Sequence, residues 1–155
     1  MTSELAKGET EVAVFLRFLE ASRLPIDRNS FEKRSPPEPD ILCTHQSEGT
    51  VAFELVEMCD SRLARSIAKS SDDYLRTSDP SPNIISKKLR KKYETAVPIE
   101  LLCDTAGRII TPDNVILSTI TPYLRKWRHT FGRAWLLGRK GVYVVWDTDQ
   151  DSRNH

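Results

Sequence analysis

Residues 39–58 read PDILCTHQSEGTVAFELVEM, and the pattern of this stretch decides the fold. A Pro-Asp pair opens a short apolar strand, a polar turn over Gln46–Thr50 contains Gly49, and a second strand carries Glu54 among hydrophobic residues. Turn residues between two apolar runs predict a hairpin. Strand residues two apart share a face, so Glu54 lies with Ala52, Val56 and Met58, and Glu57 with Phe53 and Leu55. A carboxylate among apolar neighbours demands a partner. If residues paired across the hairpin have numbers summing to an even value, Asp40 and Glu54 emerge on one face, near enough to share a hard cation. A bulge or slipped register would separate them. Magnesium is held by one or two carboxylates and several waters, so this pair is a candidate cradle.

Upstream, Thr10–Ser22 has helical periodicity, with Val12, Phe15, Phe18 and Leu19 on one side and Glu9 and Glu20 on the other. Glu11 falls within the apolar face, beside Phe15 and Phe18. A helix starting at Thr10 would put it in the first turn, where the helix dipole favours an acid. Leu24–Pro39 is irregular, charged and proline-bearing, and supplies an edge strand near Ser30–Arg34 and a connection into Asp40.

Downstream, Asp60 or Ser61 caps a helix running to about Arg76. Leu63, Ile67 and Tyr74 form its buried stripe, and Arg62, Arg65, Lys69 and Arg76 gather on another face. That basic stripe suits a phosphate backbone or, tempered by Asp72 and Asp73, a solvated surface. The segment Ser78–Pro82 breaks the chain before a helix over Asn83–Ala96, whose buried arc holds Ile84, Ile85, Leu89, Tyr93 and Ala96. Lys88 and Lys92 lie inside that arc, where they need an acceptor or a path to water along packed stems. Pro98–Asp104, PIELLCD, suits a covered parallel strand. Thr111-Pro112-Asp113 and Thr121-Pro122 predict two helices, Pro112–Thr119 and Pro122–Phe131, with Gly132 as the stop. A hairpin, Arg133–Leu137 and Gly141–Asp147, ends the chain, with Trp135, Tyr143 and Trp146 as core or dimer contacts.

With 155 residues, 39% of them hydrophobic, and a formal charge of +1, the chain reads as a single globular domain, with residues 1–8 and 149–155 as flexible termini. The near-neutral charge confines any nucleic-acid affinity to a local patch. Cys43, Cys59 and Cys103 are odd in number and widely spaced, which suits buried thiols in a reducing compartment better than disulfides or zinc. No stretch reaches the apolar length of a membrane span and no signal-peptide core is present, so the expected location is the cytoplasm, away from membranes. The three histidines, His45, His129 and His155, offer little for a histidine metal cluster or a catalytic triad. His45 lies near the turn, where substrate contact is one reading.

The Pro-Asp strand followed by a glutamate strand resembles the PD-(D/E)xK nuclease superfamily, which has the restriction endonuclease-like fold. The order of elements from about Thr10 to Ile110 is compatible with it. The family's metal-binding Asp falls on Asp40 of PEPD and its metal-binding Glu on Glu54 of FELVE, while the signature Lys position holds Val56. The resemblance implies an α/β protein, a restriction endonuclease-like mixed sheet flanked by helices, with a C-terminal β-hairpin. It implies a nuclease that uses Mg2+ or Mn2+ to hydrolyse phosphodiester bonds in DNA or RNA. Asp40, Glu54 and the Leu55 carbonyl would hold the metal, Glu11 would position a water, and Lys88, with Lys92 as second candidate, would replace the missing Lys. Nucleic acid, with DNA favoured, is the expected partner through Arg62, Arg65, Lys69, Arg76 and Lys92, and a homodimer is compatible. Because a fold does not fix a function, the alternative is an inactive nuclease-like module that binds nucleic acid or protein.

Overall fold

The computed structural model describes residues 2–35, 38–58, 81–93, 95–105, 112–126 and 129–148. Their elements are α1 (Thr2–Ser22), β1 (Glu32–Lys33), β2 (Ile41–His45), β3 (Gly49–Glu57), α2 (Ser81–Arg90), β4 (Ile99–Asp104), α3 (Asp113–Lys126), β5 (Phe131–Leu137) and β6 (Val142–Asp147). The six strands form one open mixed sheet in chain order. The β1–β2, β2–β3 and β5–β6 pairs are antiparallel, and β4 runs parallel to both β3 and β5. No helix among the described residues is long and apolar enough to cross a membrane.

The period of two along β3 divides the core. Phe53 and Leu55 face α1, which brings Val14, Phe15, Phe18 and Leu19 to that side. Ala52, Val56 and Met58 face the opposite side, with Ile85 and Leu89 of α2 and Ile116, Ile120 and Leu124 of α3. Rings lock the α1 layer, with Phe15 and Phe53 centred 5.1 Å apart and Phe18 edge-on to Trp135 at 5.3 Å. Each such fully buried side chain contributes about 1.5–3 kcal/mol. All six residues of β4 are buried, as expected of a central parallel strand. Gly49, at φ 80°, closes the β2–β3 turn in a conformation that favours glycine.

Several boundaries differ from the sequence reading. Helix α1 begins at Thr2 rather than Thr10, because nothing in residues 2–9 except Gly8 opposes a helix. Glu11 is therefore well inside the helix, and the helix-dipole account of it does not hold. Helix α2 ends at Arg90, where the Lys91 N–H closes a tight turn on the Lys88 carbonyl at 3.3 Å, leaving Tyr93 and Ala96 outside. The two helices expected over 112–131 are one helix, with Pro122 inside it. The buried stripe Ile116, Ile120 and Leu124 runs across the proline and holds both halves to the sheet. Gly132 is no helix stop but a residue of β5.

A second tie joins α3 to the terminal hairpin. The Asp113 carboxylate accepts the Arg139 and Lys140 N–H groups, each at 2.9 Å, and the Tyr143 hydroxyl at 3.2 Å. Burial pushes this carboxyl up, but these donors outweigh it and hold Asp113 below the usual range. A Cβ at Gly138 would run into the same carboxylate, so the turn takes glycine there. Cys43 and Cys103 are buried free thiols pushed up to about 12 by burial, which makes them inert packing residues; Cys59 lies outside the described residues.

Candidate functional site

Asp40 immediately precedes β2, and Ile41 pairs with Phe53, so the ladder carried one step back sets Asp40 opposite Glu54. The even-sum register is the one adopted. The Asp40 N–H donates to Glu54 Oε1 at 3.1 Å, and the Leu55 N–H donates to Asp40 Oδ2 at 2.9 Å. The two carboxyl groups are near enough to interact directly. Burial pushes the Glu54 carboxyl above the usual range, the Asp40 charge adds to this, and Lys88 opposes it.

Helix α2 supplies the counter-charge. Ile85 and Leu89 anchor it on the sheet, and Lys88, on the flank of that stripe, turns its ammonium inward to Glu54 Oε2 at 2.9 Å. The Glu54 side chain is 2% exposed and that of Lys88 27%, so the contact is partly shielded from water. Lys91 approaches the same oxygen at 3.9 Å. Tyr93 packs beside them with its hydroxyl buried; burial and then the Glu54 charge push it upward. Val56, where the superfamily's signature Lys would fall, is buried on the face of β3 that α2 covers.

On the other side of Asp40, the Lys33 ammonium of β1 lies 3.6 Å from Asp40 Oδ1 and 3.5 Å from Glu11 Oε2, and donates to the Arg34 carbonyl at 3.0 Å. Glu11 thus joins the cluster from α1 through Lys33. Three carboxylates, Glu11, Asp40 and Glu54, face three ammonium groups, Lys33, Lys88 and Lys91. Among the described residues no three His, Cys, Asp or Glu side chains converge as a metal-ligand group.

The sequence picked out Asp40, Glu54, Lys88 and Glu11, and the structure gathers all four. It missed Lys33, which reads as a charge guarding a short edge strand. Its one signal was its place in the strand leading to Asp40. It also missed Lys91 and placed Lys92 wrongly: Lys92 lies past the end of α2 and is exposed. Arg62, Arg65, Lys69 and Arg76 lie outside the described residues. His45 ends β2 at the hairpin turn, where Nδ1 accepts the Ser47 and Glu48 N–H groups at 3.2 Å. It caps the turn, the length of β2 away from Asp40.

A second buried acid was also overlooked. Glu100 of β4 accepts the Trp135 indole N–H at 2.7 Å and lies 3.7 Å from Arg133, which also meets Glu48 at 2.8 Å and Asp147 at 3.3 Å. Burial pushes Glu100 above the usual carboxylate range against the pull of Trp135 and Arg133. Comparison of the chain with family models, curated proteins and solved structures gives no match.

Proposed function

We propose that this protein is a magnesium- or manganese-dependent nuclease that hydrolyses phosphodiester bonds in nucleic acid, built as a restriction endonuclease-like domain. The observation that carries this reading is the meeting of Asp40 and Glu54 on one sheet face with the Lys88 ammonium 2.9 Å from Glu54. The donors are hard carboxylate oxygens, two in number, which suits an ion that keeps most of its waters. Asp40 and Glu54 would hold the ion, with the Leu55 carbonyl as a further oxygen from β3. When bound, the ion would lower the pKa of a water and polarise the phosphoryl oxygens. Lys88 offsets charge developing at phosphorus, and Glu11 orients water on the far side of Asp40.

The balance of three carboxylates by three ammonium groups favours a second reading, in which the centre is structurally neutralised and the domain binds nucleic acid without cleaving it. Calorimetric titration with manganese chloride and a cleavage assay on labelled duplex and single strands separate the two. The nuclease reading expects weak binding and metal-dependent product, both lost in Asp40→Asn with Glu54→Gln while the fold persists. Absence of binding heat at millimolar manganese defeats it, and strand retention without product leaves the binding module.

A further inference from the structure

We infer that two copies of this chain associate through the outer edge of β6, antiparallel about a two-fold axis at Tyr143, joining six strands from each copy into one continuous sheet. The inference does not depend on the nuclease reading. The sheet has two edges, β1 and β6, and they are built differently. Strand β1 is two residues, Glu32 and Lys33, followed by Arg34, which is held between Glu32 and Glu38. A short charged edge of this kind discourages pairing. Strand β6 reads VYVVWD, with no proline or lysine and a charge only at its end. Among the described residues no strand pairs with its outer side.

The ladder fixes which backbone groups face outward. The Gly138 N–H donates to the Gly141 carbonyl at 2.9 Å, so Gly141 is directed to β5, and by the alternation of an antiparallel ladder so is Tyr143, opposite Leu136. Val142 and Val144 therefore present their N–H and C=O groups to the open side. Beyond Val144 the register skips Val145, between the pairs Trp135–Val144 and Ala134–Trp146, and this bulge ends the regular edge. The symmetric register that satisfies both outer valines has Val142 exchanging N–H to carbonyl bonds with the partner's Val144, and Tyr143 standing opposite the partner's Tyr143. Val144, 49% exposed, is the most exposed large hydrophobic side chain among the described residues. In this register it covers the partner's Val142, a cross-strand pair of β-branched side chains. The ends match as well, because antiparallel pairing brings Arg139 and Lys140 of the turn toward the Asp147 end of the opposite β6. A foreign strand could satisfy the same backbone groups; self-pairing satisfies them, the exposed valine and the charges at both ends with one sequence.

Sedimentation equilibrium of the full chain over a concentration series tests the association. Wild type should approach twice the chain mass as concentration rises. Val144→Pro removes an outward N–H that β5 does not use, and Val144→Lys puts a charge on the edge; each should weaken association by about tenfold or more, the equivalent of about 1.4 kcal/mol, with thermal unfolding as the check on the fold. Mild oxidation reads the register. Copies carrying Tyr143→Cys face each other across a non-hydrogen-bonded pair, with Cα atoms about 4.5 Å apart, and should form an intermolecular disulfide. Val144→Cys, offset from its own copy along the strand, exceeds the limit of about 7 Å and should not, with wild type as the control for the native cysteines. A wild type that stays at one chain mass up to millimolar concentration overturns the inference, whether or not another strand binds there. So does a dimer undiminished by both Val144 variants, which places the contact elsewhere. Failure of Tyr143→Cys to cross-link, or cross-linking of Val144→Cys, overturns the register, and this pair decides alone should the other variants unfold.

Discussion

Glu54 and Glu100 lie almost side by side on β3 and β4, since Phe53 pairs with Glu100 and Glu54 with Leu101, yet they point to opposite faces of the sheet. Both are at most 5% exposed and both are pushed above the usual carboxylate range by burial. Their partners differ in kind. Glu100 is satisfied within the sheet, because Arg133 and Trp135 stand on the neighbouring strand in fixed register. Glu54 is met by a second carboxyl and by lysines that reach it from the end of a helix on long stems. Burial and a raised pKa therefore do not distinguish a working acid from a structural one.

The largest effect expected from this contrast is on turnover. Lys88→Met should lower metal-dependent cleavage of a labelled strand by about 100-fold or more, the scale of losing one preorganised charge stabiliser. Lys87→Met, on the exposed side of α2, should leave it unchanged. Equal losses in both would show that general positive charge, rather than a placed ammonium, is responsible.

On the other face the cost should fall on stability. Trp135→Phe leaves Glu100 Oε1 without its indole donor and should destabilise the fold by about 1–3 kcal/mol in urea unfolding, with cleavage kept. A loss of cleavage at unchanged stability would invert the comparison.

The smallest effect is a pH slope. A native carboxyl held above its unfolded value of about 4.3 binds protons more readily folded than unfolded, so stability falls as pH rises through the native pKa. Glu100→Gln should flatten this decline, by no more than about 1.4 kcal/mol per pH unit, the limit for one proton. Urea midpoints measured from about pH 4 to about pH 8 give the slope, and an unaltered decline would assign it to other groups.

The parts of this site that were legible in the sequence are those governed by local period. Alternation along residues 49–57 placed Glu54 opposite the face of Phe53, and the hairpin register then brought Asp40 to it. Helical spacing put Glu11 on the α1 core face and Lys88 beside Ile85 and Leu89. Lys33 was not legible, because its meaning comes from β1 pairing with β2 while α1 crosses nearby, a conjunction of three elements. Glu100 was hidden for a similar reason: in PIELLCD it reads as one polar residue in an apolar strand, and its partners stand on β5, more than 30 residues on. Pro122 misled because local chemistry favours a new helix there, whereas packing of Ile116, Ile120 and Leu124 on the sheet favours continuity.

The strand order, which follows the order of the chain, also bears on how the molecule comes off the ribosome. Each strand meets a partner already made, so β2 and β3 can zip together with Glu11, Lys33, Asp40 and Glu54 all in hand. Lys88 follows Glu54 by 34 residues. At about 5–20 residues per second that is a delay of roughly 2–7 s. Glu11, Lys33, Asp40 and Glu54 are thus all synthesised before Lys88, which can meet Glu54 only after that interval.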